Sequence, residues 1–256
     1  NIWLDMEKKF NGRIIDIKTG KDKNANKDTK EKKKFNYDKY STIGSDEVGT
    51  GDYFGPIVVT SCYVNKKDIP LLESLGIRDS KKMNDEKILK VAPAIAKAIK
   101  YKSIILSNKE YNEKYNNVDN NINKIKAIMH NKALWKMVHE EDLEYDYIIV
   151  DEFAREARYY DYIKDSTNIQ KGITFMTKAE DKNLAVACAS VISRYIFIKE
   201  FDKMCDELHI PLPKGAGPQV DEAGKEVVET YGKEKLEDVA KLNFRNTQRI
   251  LGTLIY

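Results

Sequence analysis

Residues 43–56 read Ile-Gly-Ser-Asp-Glu-Val-Gly-Thr-Gly-Asp-Tyr-Phe-Gly-Pro, and an apolar run occupies residues 57–64. This pattern predicts a short strand ending in the adjacent carboxylates Asp46 and Glu47, a glycine-rich turn, and a second strand that begins at Pro56. Glycines let the backbone of such a turn approach a ligand closely, and carboxylates beside it suit a divalent cation facing a phosphate. A hairpin with a charged tip is the alternative that these residues alone leave open.

The composition excludes several classes of protein without identifying a partner. Charged residues make up 33% of the 256 residues, but the net charge is only +3, so whole-chain charge says little about binding to nucleic acid. Cys62, Cys188 and Cys205 have neither paired spacing nor a companion histidine cluster, which indicates reduced thiols. No run has the length of a membrane span and no signal peptide is recognisable, so we expect a cytoplasmic protein without membrane contact.

The first 36 residues differ in composition from the rest. Residues 12–17 could form a strand, whereas residues 19–34 are mostly Lys, Asn, Asp and Thr and offer almost nothing to bury. We interpret the second stretch as a Lys-rich tether, either solvated or trailing along phosphates. An N-terminal segment over residues 1–36 and one large domain over residues 37–256 are therefore expected.

Helices and strands should alternate after the opening hairpin. Apolar residues recur at helical spacing after the cap residue Asn84, and again from Ile125 to Met137. Apolar runs at residues 103–106, 147–150 and 172–177 predict three further strands, and the β-branched run 147–150 is typical of an interior strand covered on both faces.

The remaining segments complete the expected architecture. Residues 112–123 are polar and indicate mainly loop. Residues 184–204 have a helical pattern whose first half is crowded with small side chains, so this helix should lie close against the sheet. Two amphipathic helices should end the chain. The prediction is an α/β fold, a mixed sheet covered by helices with a helical C-terminal region.

Acidic residues occur at three predicted strand ends. Asp46 and Glu47 end the first strand, Asp151 follows the interior strand, and Glu180 precedes the helix of small residues. Carboxylates that converge on one sheet edge can hold two divalent cations, which favours phosphodiester hydrolysis. Because neighbouring strand residues point to opposite faces, Asp46 and Glu47 should share a site only if the chain bends there.

Five segments in order carry a family resemblance. They are the opening stretch Gly-Ser-Asp-Glu-Val-Gly-Thr-Gly-Asp-Tyr-Phe-Gly-Pro (44–56), Asp-Ser-Lys-Lys-Met (79–83), Tyr-Ile-Ile-Val-Asp-Glu-Phe-Ala (147–154), Thr-Lys-Ala-Glu-Asp-Lys-Asn-Leu-Ala-Val-Ala-Cys-Ala-Ser-Val-Ile-Ser-Arg-Tyr (177–195) and Pro-Lys-Gly-Ala-Gly (213–217). Together they resemble the bacterial type 2 ribonuclease H enzymes, specifically ribonuclease HIII, from about Tyr37 to Leu251. Ribonuclease HII carries Gly-Arg-Gly where this chain has Gly49-Thr50-Gly51, and the insertion that follows, residues 52–54, is typical of ribonuclease HIII.

The resemblance implies a ribonuclease H-like catalytic domain over residues 37–256 that cuts the RNA strand of RNA–DNA hybrids with two Mg²⁺ or Mn²⁺ ions. By this resemblance Asp46 is shared by both cations, and Glu47, Asp151 and Glu180 complete their coordination. Asp181 is a rival to Glu180, although the spacing to the following helix favours Glu180. The expected catalytic and metal-binding residues are therefore Asp46, Glu47, Asp151 and Glu180.

The resemblance also implies substrate contacts. The backbone of Gly49, Thr50 and Gly51 would read 2′-hydroxyl groups in the minor groove, since the 2′-hydroxyl distinguishes RNA from DNA. Lysines beside these motifs are candidates for phosphate contacts, although lysines near helix starts are also commonly just solvated. They are Lys81, Lys82 and Lys178. We interpret His130, in a helical stretch, as a satisfied, half-buried histidine and not as a proton shuttle.

Ribonuclease HIII enzymes generally carry an N-terminal domain that resembles the TATA-binding protein. About 36 residues precede the catalytic region here, too few for that domain, so it is expected to be truncated or absent, or the sequence begins late. A monomer is expected. Two alternative functions stay open: another phosphodiesterase of the ribonuclease H-like fold that acts on DNA, and a catalytically dead module that binds hybrids.

Overall fold

The computed structural model describes residues 15–16, 21–22, 36–117 and 121–252. The chain divides into two units, residues 1–35 and residues 36–256. In the first unit, strands β1 (Ile15–Asp16) and β2 (Lys21–Asp22) pair antiparallel. Apart from β2, the stretch expected to be a tether lies outside the described residues.

A five-stranded sheet forms the centre of the second unit. The strand order is β5-β4-β3-β6-β7, in which β3, β6 and β7 are parallel and β4 pairs antiparallel with both β3 and β5. Pro56 lies one residue before β4 and not at its first position, because the pairing of β4 begins at Ile57, opposite Leu106 of β5. The strands are β3 (Thr42–Val48), β4 (Ile57–Val64), β5 (Lys100–Leu106), β6 (Tyr147–Asp151) and β7 (Ile173–Met176).

Helices connect the strands and continue after the sheet is complete. Those in the described part of the second unit are α1 (Ile69–Ser74), α2 (Asp85–Ala98), α3 (Asn108–Asn117), α4 (Ile122–Glu140), α5 (Glu156–Tyr162), α6 (Leu184–Leu208), α7 (Pro218–Tyr231), α8 (Lys235–Val239) and α9 (Arg245–Gly252). The architecture confirms the predicted mixed α/β class. None of these helices combines the length and apolar character needed to cross a membrane, within the residues that the structure describes.

Two details of the expected element order are wrong. The polar residues expected to be loop from 112 onward belong in part to α3, whose Asn112 amide is buried and donates to the carbonyl oxygens of Glu237 and Ala240 at 3.0 and 2.9 Å. Three helices, not two, follow the small-residue helix in the described residues, because Gly232 and Ala240 interrupt the helical backbone on either side of α8.

Helix α6 lies directly against β3, as its small side chains predict. A Cβ atom on Gly44 would lie only 2.4 Å from the backbone nitrogen of Val186, so the helix backbone occupies the space of a side chain. The first half of α6 is buried throughout, from Leu184 to Ala189. Helix α4 covers the opposite face of the sheet, where the Ser61 hydroxyl of β4 donates to the carbonyl oxygen of Ala133 at 2.9 Å.

Candidate active site

Acidic side chains meet at one end of the two neighbouring parallel strands β3 and β6. The pairing of these strands ends at Ser45 and Val150, so Asp46 and Asp151 occupy the next position on each strand. Strand β3 continues beyond β6 through Glu47 to Val48, paired there only with β4. Asp46, Glu47 and Asp151 therefore lie at the same sheet edge, as parallel strand ends require.

Strand β3 does not bend at Asp46 and Glu47, although a bend was the condition expected for the two acids to share a site. The ladder with β4 is regular, with Asp46 opposite Thr60 and Glu47 opposite Val59. Consecutive side chains of a regular strand point to opposite faces, so Asp46 faces α6 and Glu47 faces α4. Pairing with β4 along the whole of β3 holds the strand straight, and the two carboxylates reach the sheet edge from opposite sides.

Within the part of the chain that the structure describes, hydrogen bonds stabilise the Asp46 carboxylate, but no cationic side chain does. Burial raises its pKa to about 8, and the negative charge of Glu47 adds to the rise. Hydrogen bonds from the Ser190 hydroxyl and the Glu47 backbone N–H, the latter at 2.8 Å, act in the opposite direction. A carboxyl group in this environment favours a proton or a cation.

Glu47 is held by two side chains of α4. Its Oε1 lies 2.5 Å from the Lys126 ammonium, and its Oε2 lies 2.8 Å from Nε2 of His130. The other ring nitrogen of His130 lies 2.8 Å from the Ser45 hydroxyl. Burial acts to raise the pKa of Glu47, but the hydrogen bond and charge of His130, together with Lys126, outweigh it and bring the pKa to about 2.

Sequence reasoning missed this cationic support for Glu47. His130 is fully buried with a partner at each ring nitrogen, which agrees with a satisfied histidine, although it was expected to be only half-buried. Lys126 is not part of any motif that the sequence shows. Its ammonium also lies 4.2 Å from the centre of the Phe153 ring. The available signal was the spacing of four residues between Lys126 and His130, which places both on one helix face.

Asp151 and Glu180 lie on adjoining segments. Asp151 accepts a hydrogen bond from the backbone N–H of Ala179 at 2.8 Å. Ala179 is the first residue of a short 3₁₀ helix, Ala179–Asp181, that contains Glu180. Burial raises the pKa of Asp151, and the charges of Glu180 and Glu47 act in the same direction against the Ala179 hydrogen bond. The negative charges of the site therefore act on one another across three chain segments.

Glu180 and its neighbour Asp181 differ in exposure. Both form ion pairs with Lys81, but the Glu180 side chain is 15% exposed and the Asp181 side chain 46%. The Oε2 atom of Glu180 is buried, and no described residue forms a hydrogen bond with it. An unpartnered buried carboxylate oxygen is costly unless something binds it, which favours Glu180 over Asp181 as a ligand.

The residues present fit divalent cations. Carboxylate oxygens are the ligands that Mg²⁺ and Mn²⁺ prefer, and both the Glu180 oxygen and the raised pKa of Asp46 mark places where a cation would be stabilising. Over the described ranges, no group of three or more His, Cys, Asp or Glu side chains lies close enough together to hold a metal ion as the side chains stand. Instead Lys126 and Lys81 compensate Glu47 and Glu180.

The glycine turn lies directly after the strand acids. Gly49 is buried with φ +92°, and a Cβ atom there would lie 2.1 Å from the carbonyl oxygen of Pro56, so the position requires glycine. Thr50 is half-buried and Gly51 is exposed, with open space around its Cα. Thr50 and Gly51 are therefore less buried than Gly49.

The three candidate lysines have different surroundings. Lys81 forms ion pairs with Glu180 and Asp181, inside the acidic group. Lys82 pairs with Asp79 at 2.8 Å, and 83% of its side chain is exposed. Lys178 is exposed and adopts a left-handed backbone conformation, φ 51°, just before the 3₁₀ turn. Only Lys81 contacts the acidic site.

This arrangement of sheet, acids and turn defines a class of protein. A mixed sheet with carboxylates at the ends of adjacent parallel strands, beside a glycine turn, is typical of cation-dependent phosphodiesterases with a ribonuclease H-like fold. The family model described as Ribonuclease HII matches residues 43–247. The chain belongs to this family, among its ribonuclease HIII members.

Individual relatives support that placement. The chain is 42% identical over 216 residues to Ribonuclease HIII of Bacillus cereus, which covers 84% of this chain and 69% of the relative. The crystal structure of Bst-RNase HIII in complex with Mn²⁺ superposes with a TM-score of 0.81 at 41% identity, covering 84% of this chain and 70% of that one. RNase H3 of Aquifex aeolicus gives a TM-score of 0.64 at 28% identity, over 79% of this chain and 71% of its own. The resemblance expected from the sequence is confirmed, and the chain is a metal-dependent ribonuclease H.

Proposed function

We propose that the chain hydrolyses the RNA strand of RNA–DNA hybrids endonucleolytically, at the site formed by Asp46, Glu47, Asp151 and Glu180. The observation that carries this proposal is that β3, β6 and the 3₁₀ turn bring acids to one sheet edge, near enough for their charges to act on one another, with a buried Glu180 oxygen that has no hydrogen-bond partner among the described residues. Two Mg²⁺ or Mn²⁺ ions bound there would activate a water molecule and stabilise the charge that develops on the phosphate. Asp46 is proposed to ligate both cations, and the other three acids to complete the site.

Neighbouring groups have separate roles in this proposal. Lys126 and His130 keep Glu47 ionised and fix its orientation, since both of its oxygens have a partner. Ser190 and the Glu47 N–H orient Asp46. Lys81 balances part of the negative charge beside Glu180, so that a phosphate is less strongly repelled.

The glycine turn is proposed to select RNA. Thr50 is half-buried and Gly51 exposed just after the strand acids, and backbone groups there would contact a 2′-hydroxyl that DNA lacks. Gly49 sets the shape of the turn. Lys82 and Lys178 are proposed phosphate contacts because their side chains are exposed, and such contacts hold a duplex in register without reading its sequence.

Cleavage of a matched set of duplexes tests the proposal. The set contains an RNA–DNA hybrid, a DNA duplex with a single ribonucleotide, an RNA duplex and a DNA duplex, each with Mg²⁺, Mn²⁺ or EDTA. We expect cation-dependent cuts in the RNA strand of the hybrid and none in DNA. Cutting of DNA would favour another phosphodiesterase of this fold, and binding of the hybrid without cutting would favour a dead module.

Asp46→Asn separates chemistry from binding. It should abolish cleavage while hybrid binding, measured by fluorescence anisotropy, is kept or improved, because the change removes one negative charge facing phosphate. Asp161→Asn is the matched control, since Asp161 lies on α5 and pairs only with Arg158 and Lys164 in the described residues. Near-normal cleavage by Asp46→Asn would remove Asp46 from the site.

The organisation of the whole chain is also proposed. Residues 37–256 would form the catalytic domain and residues 1–36 a preceding segment, in a cytoplasmic monomer. The boundary is supported by the division of the chain after Phe35, and a reducing compartment by the free thiols of Cys62, Cys188 and Cys205. Light scattering coupled to size exclusion chromatography should give the mass of one chain, and a doubled mass would contradict the monomer.

A further inference from the structure

A lysine is buried beneath the glycine turn, far along the chain from it. Lys241 follows α8 and is fully buried, a rare situation for lysine. Its side-chain nitrogen donates to the carbonyl oxygen of Asp52 at 2.8 Å and to that of Gly55 at 2.5 Å. Both acceptors belong to the segment that joins the acidic end of β3 to β4.

Backbone contacts from the C-terminal region reinforce this link. The N–H of Lys241 donates to the Tyr53 carbonyl oxygen at 2.8 Å, and the Gly55 N–H donates to that of Val239 at 3.2 Å. From the other side, the Tyr53 N–H donates to the carbonyl oxygen of Gly215 at 2.8 Å. Residues 52–55 are thus fixed between residue 215 and residues 239–241, and we call this set of contacts the turn clamp.

Side chains extend the turn clamp. The Asp52 carboxylate accepts the Gly215 N–H at 2.7 Å, and the Tyr53 hydroxyl lies 3.0 Å from that of Thr247. The rings of Tyr53 and Phe54 are fully buried. Thr50, which is half-buried, and Gly51, which is exposed, come just before this fixed segment, so contacts from the C-terminal region help to set their position relative to the strand acids.

We propose that Lys241 is a positioning residue for hybrid binding, which acts by holding the carbonyl groups of Asp52 and Gly55 inward so that the glycine turn keeps the shape that contacts the RNA strand. The inference rests on the proposed function. A single long side chain reaches both carbonyl oxygens, and an apolar side chain of similar length would leave both acceptors unpaired and free to turn towards water. Lys241 does not touch the acids, so its effect falls on substrate binding and not on the chemical step.

Lys241→Met is the test, with Lys235→Met as the matched control. Lys235 lies on α8 in the same region, but its ammonium pairs only with Asp238 at 3.3 Å among the described residues. We expect Lys241→Met to raise KM for the hybrid about tenfold, the effect of losing one or two buried hydrogen bonds, with kcat within about threefold of the parent. The control should leave both unchanged. Lys241→Gln, which keeps a donor on a shorter side chain, should recover part of the lost affinity.

A second readout separates positioning from a merely structural role. Binding measured by anisotropy in the Asp46→Asn background should show that Lys241→Met lowers the preference for hybrid over DNA duplex about tenfold. A lowered melting temperature with unchanged KM and unchanged preference would overturn the proposal, as would a fall in kcat alone. If Lys241→Met does not fold, Asp52→Ala tests the turn clamp instead. Asp52 is half-buried, and its replacement removes the hydrogen bond from the Gly215 N–H, so KM should rise in the same way.

The parent enzyme distinguishes failure of this inference from failure of the proposed function. A parent that cuts hybrids while Lys241→Met keeps its KM would refute only the turn clamp. A parent that binds hybrids but cuts none would refute the proposed function, and the binding preference would still decide the role of Lys241.

Discussion

Replacing Lys241 with methionine should change how the stability of the protein depends on pH. Burial lowers the pKa of Lys241 to about 7, and the charge of Asp52 opposes the shift only in part. In the unfolded chain the same group has its ordinary pKa of about 10.4. Between pH 7 and pH 10 the unfolded state therefore holds a proton that the folded state has released. The free energy of unfolding consequently rises with pH in this window. Below pH 7 the free-energy cost of burying a charged lysine is fully present.

The size of the effect follows from the pKa difference. A full difference of one proton changes the free energy of unfolding by about 1.4 kcal/mol per pH unit. Because the folded group is still half protonated at pH 7, the gain between pH 7 and pH 9 is about 2 kcal/mol. The methionine variant has no such group, so the parent should gain about 2 kcal/mol relative to the variant over this range.

Urea unfolding followed by circular dichroism at pH 7, 8 and 9 measures this difference. EDTA in every sample removes cation binding from the comparison, and Asp46, whose pKa is raised to about 8, titrates in parent and variant alike and cancels. The nearby tyrosines Tyr53 and Tyr111 have raised pKa values and titrate above the window. A parent-minus-variant difference that stays constant to within about 0.5 kcal/mol would refute the assignment of a depressed pKa to Lys241. Lys235→Met should give that constant difference.

Three further predictions concern the site itself. Glu180→Gln should be inactive and Asp181→Asn active in the hybrid cleavage assay, because only Glu180 has a buried oxygen awaiting a ligand; the reverse pattern would make Asp181 the ligand. Gly49→Ala should destabilise the fold by about 2 kcal/mol or more in urea unfolding, since it combines a left-handed φ with a carbonyl oxygen 2.1 Å from the new Cβ, and a neutral effect would contradict the described turn. His130→Gln should weaken the apparent Mg²⁺ affinity about 10- to 100-fold in a cation titration of activity, because Glu47 loses an orienting partner; an unchanged titration would make His130 a purely structural residue.

The features that the sequence predicts well depend on local patterns. The hairpin of β3 and β4 follows from apolar runs around a glycine turn, and the cap Asn84 accepts the N–H of Lys87 at 2.9 Å as expected at a helix start. The close contact of α6 with Gly44 follows from a run of small residues. In each case the decisive information lies within one continuous stretch of the sequence.

The features that were wrong or missed depend on distant contacts. Helix α3 is too polar to be expected from its own residues, but the ring of Tyr111 is buried and the Asn112 amide binds carbonyl groups about 125 residues away. The support of Glu47 by Lys126 and His130 likewise joins residues about 80 positions apart. No local pattern predicts which acid Lys126 will pair with, because the pairing depends on how α4 crosses the sheet.

The straightness of β3 explains how adjacent acids acquire opposite properties. A bend would have placed Asp46 and Glu47 in one environment. In the regular strand Asp46 faces α6, whose Ser190 hydroxyl donates a hydrogen bond to it. Glu47 faces α4, where Lys126 and His130 bind it. The pKa of Asp46 accordingly rises to about 8 while that of Glu47 falls to about 2. The protein itself therefore neutralises Glu47, whereas no side chain in the described part of the chain supplies Asp46 with a counter-charge. Of these two acids, Asp46 is the one that a bound cation would stabilise more, which supports its proposed role as the ligand shared by both cations.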